Sequence, residues 1–513
     1  MTDLRQLHFR FRTDAGTADA SPTWGAGEDV NYYPGTANFR LRIGLRNAST
    51  VVAATPWELY VSRNGDAYTP VTTTIAKGVQ SVDAGSSADD TAVLVPRLYP
   101  FSQEWVLAGA AIDLDFANSR IYGAAAFTDV TSCSRASIGY APTASGTLTS
   151  FSSNELRMTN LGLLVENART NYIPLSQSFT IADWTPFNLT SVSNNQTVAP
   201  DGTTTAGKIV EDTSNSYHGI YNFSGDNAIK TSPVSCSNSI YVKAAGRNFA
   251  FLVGKSNSAT PIDYSIVVNL TTGAITETHS DNSPSNASGS AETLGNGWFR
   301  LNVTLDSIAT QTMFLEVGPC ASGTGNTWSF GRPTYTGDGS SGIYIWGAQM
   351  EIGSFPSSQI PTTSTIATRA ADAVTITGAA AAIIDTNTAS QFVDFTEIGS
   401  TDDLQVVYYG NPVIGKFGGS TATIVIGGPG NLTATVGNSL TFATGFEAAS
   451  TISASGRTIV GGGGAVASDA SVFTVGSPYR FNGTGSPGFI TIRRFALWNS
   501  KLTDATLQSL TTP

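Results

Sequence analysis

The stretch "SGIYIWGAQMEIGSFPSSQIPTT", Ser341 to Thr363, places Ile343 and Ile345 on one side of a two-residue period and Tyr344 and Trp346 on the other. It then dissolves into Pro, Ser and Thr. A β-strand sends successive side chains to opposite faces. A strand that is bulky on both faces is therefore either covered by protein on both, or keeps an aromatic face for a ligand. Large rings are usually buried, so the covered reading is the expected one: an inner strand of a sandwich, or one lying under a neighbouring protomer. The proline-rich exit then reads as a string to the next domain.

Working outward, the runs "NSIYVKAAG", "FAFLVGKS", "DYSIVVNLTTGAIT", "GWFRLNVTLD" and "TMFLEVG" have the same strand-like texture and the spacing of a two-sheet sandwich. This central domain is expected over residues 161–365. Residues 1–96 read as a small β-sandwich. In it "ANFRLRIGLRN" sets Phe39, Leu41, Ile43 and Leu45 against Arg40 and Arg42, and Asn64-Gly65 marks a hairpin. Residues 97–160 read as a connecting β-rich segment, either a small subdomain or a strap. Residues 366–513 repeat the sandwich texture and close on a short helix. There Thr503 is the N-cap, Asp504 suits the positive helix end, and Leu502 and Leu507 hold the hydrophobic-staple positions.

Composition agrees with an all-β, multidomain chain. At 513 residues the length suits about three domains. Hydrophobic residues make up 41% but charged ones only 13%, where about 25% is usual. Exposed helices lean on Glu, Lys and Arg, so this balance, with 52 glycines, favours short strands and tight turns. The net charge of −11 argues against nucleic acid or an anionic membrane as partner. No apolar run reaches the length of a membrane-spanning helix. "MTDLRQLHFRFRTDAG" lacks the apolar core of a signal peptide. Cys133, Cys236 and Cys320 are widely spaced and read as buried thiols, without a disulfide framework or a cysteine zinc site.

Three stretches resemble a known module: Ser134-Arg135 with "GLLVENARTNYI" (Gly162 to Ile173), "APDGTTTAGKIVED" (Ala199 to Asp212), and "GNGWFRLNVTL" with the opening stretch and "TRAAD" from Thr368. Together they resemble a jelly roll of bacteriophage tail and fibre proteins that is similar to carbohydrate-binding modules. "GFITIRRFALWNSKLTDATLQSLT" resembles the end of concanavalin A-like (laminin G-like) jelly rolls, and the N-terminal stretch resembles a sandwich at the start of other virion proteins. The resemblance implies a virion fibre or spike protein, assembled in the host cytoplasm as a homotrimer. It would be anchored to other virion proteins through residues 1–96 and attached to host-surface polysaccharide. The alternative is a purely structural collar, neck or capsid-decoration protein.

Glycan recognition needs flat aromatic faces with hydroxyl-bonding groups beside them. The candidates are Trp184, Tyr217, His218, Trp298 and Trp328, with Trp184 and the Tyr217-His218 pair favoured by their Ser/Asn-rich surroundings. Catalysis is not expected. The three histidines His8, His218 and His279 are far apart in sequence, and no hydrolase, metalloprotease or phosphate-loop motif is present. Asp113 and Asp115 share a strand face but read as a surface or turn feature. No cofactor is expected and no metal ligand is assigned, with structural calcium on loop carboxylates left open.

Overall fold

In the computed structural model the described residues are four strands within the first 105 and most of 106–511, interrupted at 181–183, 223–233, 259, 308–311, 385–387, 398–403, 409–412, 417–422, 427–431, 436–445, 454–455, 463, 471–479 and 482–488. The chain divides into two units, Met1–Trp105 and Val106–Pro513. In the first, Leu4–Thr13 pairs antiparallel with Phe39–Asn47, the strand expected from the alternation. Tyr60–Val61 pairs with Thr69–Pro70 and so brackets Asn64-Gly65. That dipeptide, and the side chains of Arg40 and Arg42, lie outside the described residues.

The second unit is all-β, with sandwich-like antiparallel sheets. Its central sandwich has two six-stranded sheets. One runs Trp184–Phe187, Gly219–Asn222, Thr312–Cys320, Phe249–Asn257, Asp263–Asn269, Ile275–Asp281. The other runs Leu189–Thr197, Ala206–Glu211, Gly342–Ile352, Ser235–Ala245, Trp298–Asp306, Ser288–Thr293. Alternate residues from both meet in one core: Leu252, Ile266, Leu315 and Val317 face Ile240, Val303, Ile343 and Ile345. Burying each such side chain contributes about 1.5–3 kcal/mol.

This sandwich is inserted between strands of another. Its flanking strands Arg169–Asn171 and Ala367–Arg369 pair with each other. Outside them, Gly162–Val165 and Ile112–Asp115 both pair with Ile490–Trp498, and Thr131–Ser134 pairs with Ala373–Ile376. The segment 97–160, set apart above as a connection, thus supplies strands to the sheets of the C-terminal segment, as does the start of the segment expected to be central. These sheets close over Leu114, Leu163, Val165, Ile376, Phe395, Phe481 and Phe495. The terminal helix is Asp504–Leu510, with Thr503 accepting from the Thr506 amide as expected. A second short helix, Gly378–Ile384, was not expected. Among the described residues no helix is long and apolar enough to cross a membrane.

Asp113 and Asp115 are buried, which corrects their reading as a surface feature. Arg494 grips Asp113 with two nitrogens at 2.9 and 2.6 Å, and Asn118 binds Asp115. Burial pushes the Asp113 carboxyl upward, against the opposing pull of Arg494. Cys236 and Cys320 are buried, and burial pushes both thiols up to about 12; Cys133 is only half-buried.

Candidate functional site

Each sheet of the central sandwich has an outer face, and each is covered differently. On the second sheet the cover lies over Gly342–Ile352. Trp346 is fully buried and packs with Tyr241, Trp298, Ala206, Leu148 and Ala199, while Ile343 and Ile345 enter the main core. Both faces are covered, as expected, and the cover comes from this chain. Trp346 Nε1 donates to Thr205 Oγ1 at 3.0 Å, inside the "APDGTTTAG" stretch. At Gly347 the backbone takes φ +63° and the register against Ser239–Tyr241 slips, the signature of a β-bulge. Beyond it the parity reverses: Ala348 and Met350 join the core, and Gln349 and Glu351 turn outward.

The proline-rich exit packs over these outward residues, which corrects its reading as a string to the next domain. Glu351 accepts from the Ser357 hydroxyl and amide and from Gln349, whose Oε1 accepts from the Ile360 amide at 2.7 Å. Ser358 donates to Glu166 through its amide at 2.9 Å and its hydroxyl at 2.6 Å. Around Glu166 lies a buried ion cluster. Arg157 joins Glu166 (2.7 Å) to Asp372, Arg135 reaches Asp372 at 2.7 Å, and Arg369 stands 3.4 Å from Glu166. Burial alone would raise the Glu166 carboxyl, but Arg369, Arg157 and Ser358 outweigh it and bring it down to about 2. The resemblance-bearing stretches around Arg135, Glu166, Ser357-Ser358 and Asp372 therefore form an internal clamp.

On the first sheet the cover is a hairpin, Thr327–Ser329 paired with Arg332–Thr336. Under it lies a small apolar layer of Phe251, Val253, Val267 and Cys320. Arg332 pairs with Glu316 at 2.5 Å through Nε, and its guanidinium lies over the Phe187 and Tyr217 rings at 4.9 and 4.6 Å. The hairpin turns on Phe330 and Gly331, both at positive φ (+54° and +77°), as a two-residue type I′ turn requires. Gly331 is needed there twice over, since a Cβ would stand 2.7 Å from the Asp263 carboxyl carbon. Phe330 is unusual: a bulky residue in the left-handed region, 64% exposed. Its carbonyl accepts from Lys255 Nζ at 2.6 Å, and that ammonium lies 5.6 Å from its ring centroid.

Beside this tip, strand register gathers ionisable groups. Lys255 pairs across with Asp263, Asp263 with Asp281, and Ser265 with His279, so all five side chains share one face. His279 lies flat against Trp328, centroids 4.5 Å apart and planes 7° apart. Burial pushes the Asp263 carboxyl up to about 6. Asp263, His279 and Asp281 form a group able to hold a metal ion, with donor atoms within 4.8 Å of one another.

Of the five rings expected at a glycan site, three belong to the interior, and this corrects their placement. Trp184 is buried at an edge contact with Phe179, its Nε1 donating to the Leu175 carbonyl. Trp298 is buried, its Nε1 donating to the Val198 carbonyl. His218 is buried with its two nitrogens facing the Asn188 and Tyr335 carbonyls. Of the polar residues that made Trp184, Tyr217 and His218 look loop-like, Thr185, Asn215 and Ser216 lie on short strands. Tyr217 is half-buried beside Arg332, and Trp328 is half-buried beside His279. Phe330, His279, Asp281 and Asp263 were not among the expected site residues. The period-two spacing of Glu277, His279 and Asp281 and the Phe-Gly turn between "TWS" and "RPTYT" were their available signals.

No family model and no curated protein matches the chain. Among solved structures, a Trypanosoma rangeli sialidase in complex with the inhibitor DANA aligns at 10% identity over 60% of this chain and 68% of the sialidase chain, with a TM-score of 0.21. A score that low carries no argument about fold or activity.

Proposed function

We propose that this chain is a non-enzymatic fibre or spike protein of a phage or phage-like virion, and that its central sandwich attaches to host-surface polysaccharide through the hairpin tip around Phe330. Phe330 carries this reading: a large ring, exposed, at a backbone conformation that costs about 1–3 kcal/mol for a non-glycine residue. Strain of that kind is kept where it serves function, and here no packing requires the ring. Lys255 stands beside it, and Trp328 on the same hairpin stacks with His279, which in turn lies 3.3 Å from Asp281; together they offer an apolar platform with donors and acceptors for hydroxyls. A stack of this sort is worth about 1 kcal/mol, so attachment relies on several copies acting together, as a homotrimer would provide. Residues 1–96 serve as the anchor to other virion proteins on the strength of the resemblance.

The test is binding of the full-length protein to purified surface polysaccharide of the host, with Phe330→Ala and Trp328→Ala beside the wild type. Loss of binding with an unchanged melting temperature supports the reading; equal binding by all three removes the tip from the site. One observation favours the second reading, a purely structural collar, neck or decoration protein: Trp184, His218 and Trp298 are spent on the interior. Absence of polysaccharide binding by the wild type, with electron microscopy placing the protein on the particle, would establish that reading instead.

A further inference from the structure

The group of Asp263, His279 and Asp281 has a property that an ordinary surface cluster lacks. Asp263 is fully buried, yet its Oδ2 has no hydrogen-bond partner. Its Oδ1 accepts from the Asp281 amide at 3.1 Å. The nearest cation to Oδ2 is Lys255 Nζ at 3.9 Å, and that ammonium donates instead to the Phe330 carbonyl. A buried carboxylate oxygen without a donor is costly, by about 1–3 kcal/mol or more. Native structures retain such groups where something else completes them.

We propose that Asp263, His279 and Asp281 bind a divalent transition metal of the Zn²⁺ class. Two carboxylates and one imidazole suit Zn²⁺ and its neighbours, whereas Ca²⁺ takes six to eight oxygens and does not favour nitrogen. Donors about 2.1 Å from one tetrahedral ion stand about 3.4 Å from each other. His279 Nε2 and Asp281 Oδ1 are already 3.3 Å apart. The remaining closure falls to Asp281, whose side chain is 44% exposed. His279 is pre-oriented by its flat contact with Trp328, which fixes the ring plane as outer-sphere partners of metal ligands do. Three protein donors leave at least one position for water, on the side where Asp281 meets solvent. Because Gly331 packs against Asp263, the ion would tie the hairpin tip to the sheet beneath. The inference rests on these residues alone and not on polysaccharide attachment.

The test is a calorimetric titration of the full-length protein, free of affinity tags, with ZnCl₂. One saturable site per chain is expected. His279→Gln and Asp281→Asn, both partly exposed and so safe for folding, should each weaken it at least tenfold, and a hundredfold excess of Ca²⁺ should leave it occupied. Co²⁺ added in place of Zn²⁺ should give visible absorption that His279→Gln abolishes. No saturable binding by the wild type would mean that the Lys255 ion pair suffices for Asp263 and would overturn the proposal. Unchanged binding by both variants, or displacement by equimolar Ca²⁺, would overturn it too.

Discussion

The two outer faces of the central sandwich are both covered by the chain itself, but the covers follow different rules. Over Gly342–Ile352, the buried carboxylates of the cover have donors on both oxygens: Glu166, Glu351 and Asp372 are held by Arg135, Arg157, Gln349, Ser357, Ser358 and backbone amides. Over the other sheet, the hairpin leaves Asp263 with an open oxygen and sets Phe330 in solvent at a strained angle. A cover whose acids are satisfied does the work of structure. One that keeps an unsatisfied acid and an unburied ring has capacity left for a ligand.

The sharpest way to break this contrast is to open the cover whose buried acids are satisfied. Asp372→Ala leaves the buried guanidinium of Arg135 without its carboxylate and that of Arg157 with Glu166 alone, and removing one partner of such a cluster costs about 3–5 kcal/mol. Denaturant unfolding should register that loss; a change within about 0.5 kcal/mol, the range of ordinary surface substitutions, would show the cluster to be ornamental. Acid tests the same cover without a cavity. The ordinary Glu166 value of 4.5 falls to about 2 in the fold. Its stabilisation is therefore complete above about pH 4.5 and is lost as the pH falls toward 2, an effect of about 3 kcal/mol. Melting temperature against pH should fall across that window in the wild type and more shallowly in Glu166→Gln.

A smaller effect is expected at the bulge that turns Gln349 and Glu351 toward the exit segment. Gly347→Ala forces a Cβ at φ +63° to within 2.9 Å of Gln359 Oε1 and 3.0 Å of Tyr241 Cδ2, and should destabilise by about 1–3 kcal/mol. Thermal melts of this variant beside the wild type would show it. The smallest effect belongs to the open cover. Phe330→Ala removes an exposed ring and should change stability by less than about 0.5 kcal/mol. A loss comparable to that of Gly347→Ala would show the ring to be packed after all, and the contrast between the two covers would fail.

Much of the architecture was legible because it is local. Period-two alternation announced the strands at Phe39–Asn47 and Gly342–Ile352, and the shortage of charge announced a chain poor in helix. Thr503, Asp504, Leu502 and Leu507 announced the last helix, where Thr503 caps and both leucines pack in one cluster. What was not legible is non-local. Strand Ile490–Trp498 takes Ile112–Asp115 and Gly162–Val165 as neighbours from more than three hundred residues away, and nothing in any of those segments names the others. For the same reason Trp184 and His218 looked like loop residues: local polarity describes a neighbourhood in sequence, while burial is decided by which strand arrives on top.

By itself the sequence determined the class of structure, the alternation of its faces and the caps of its final helix, since these depend on side chains within a few positions of each other. Only the tertiary structure decided which face was sealed and which stayed open. The register that sets Asp263 opposite Asp281, and the hairpin that lays Gly331 on Asp263, join residues that meet only when separate strands are in place. Hydrogen-bond satisfaction is a property of that meeting, and the free oxygen of Asp263 exists only once the strands have closed around it.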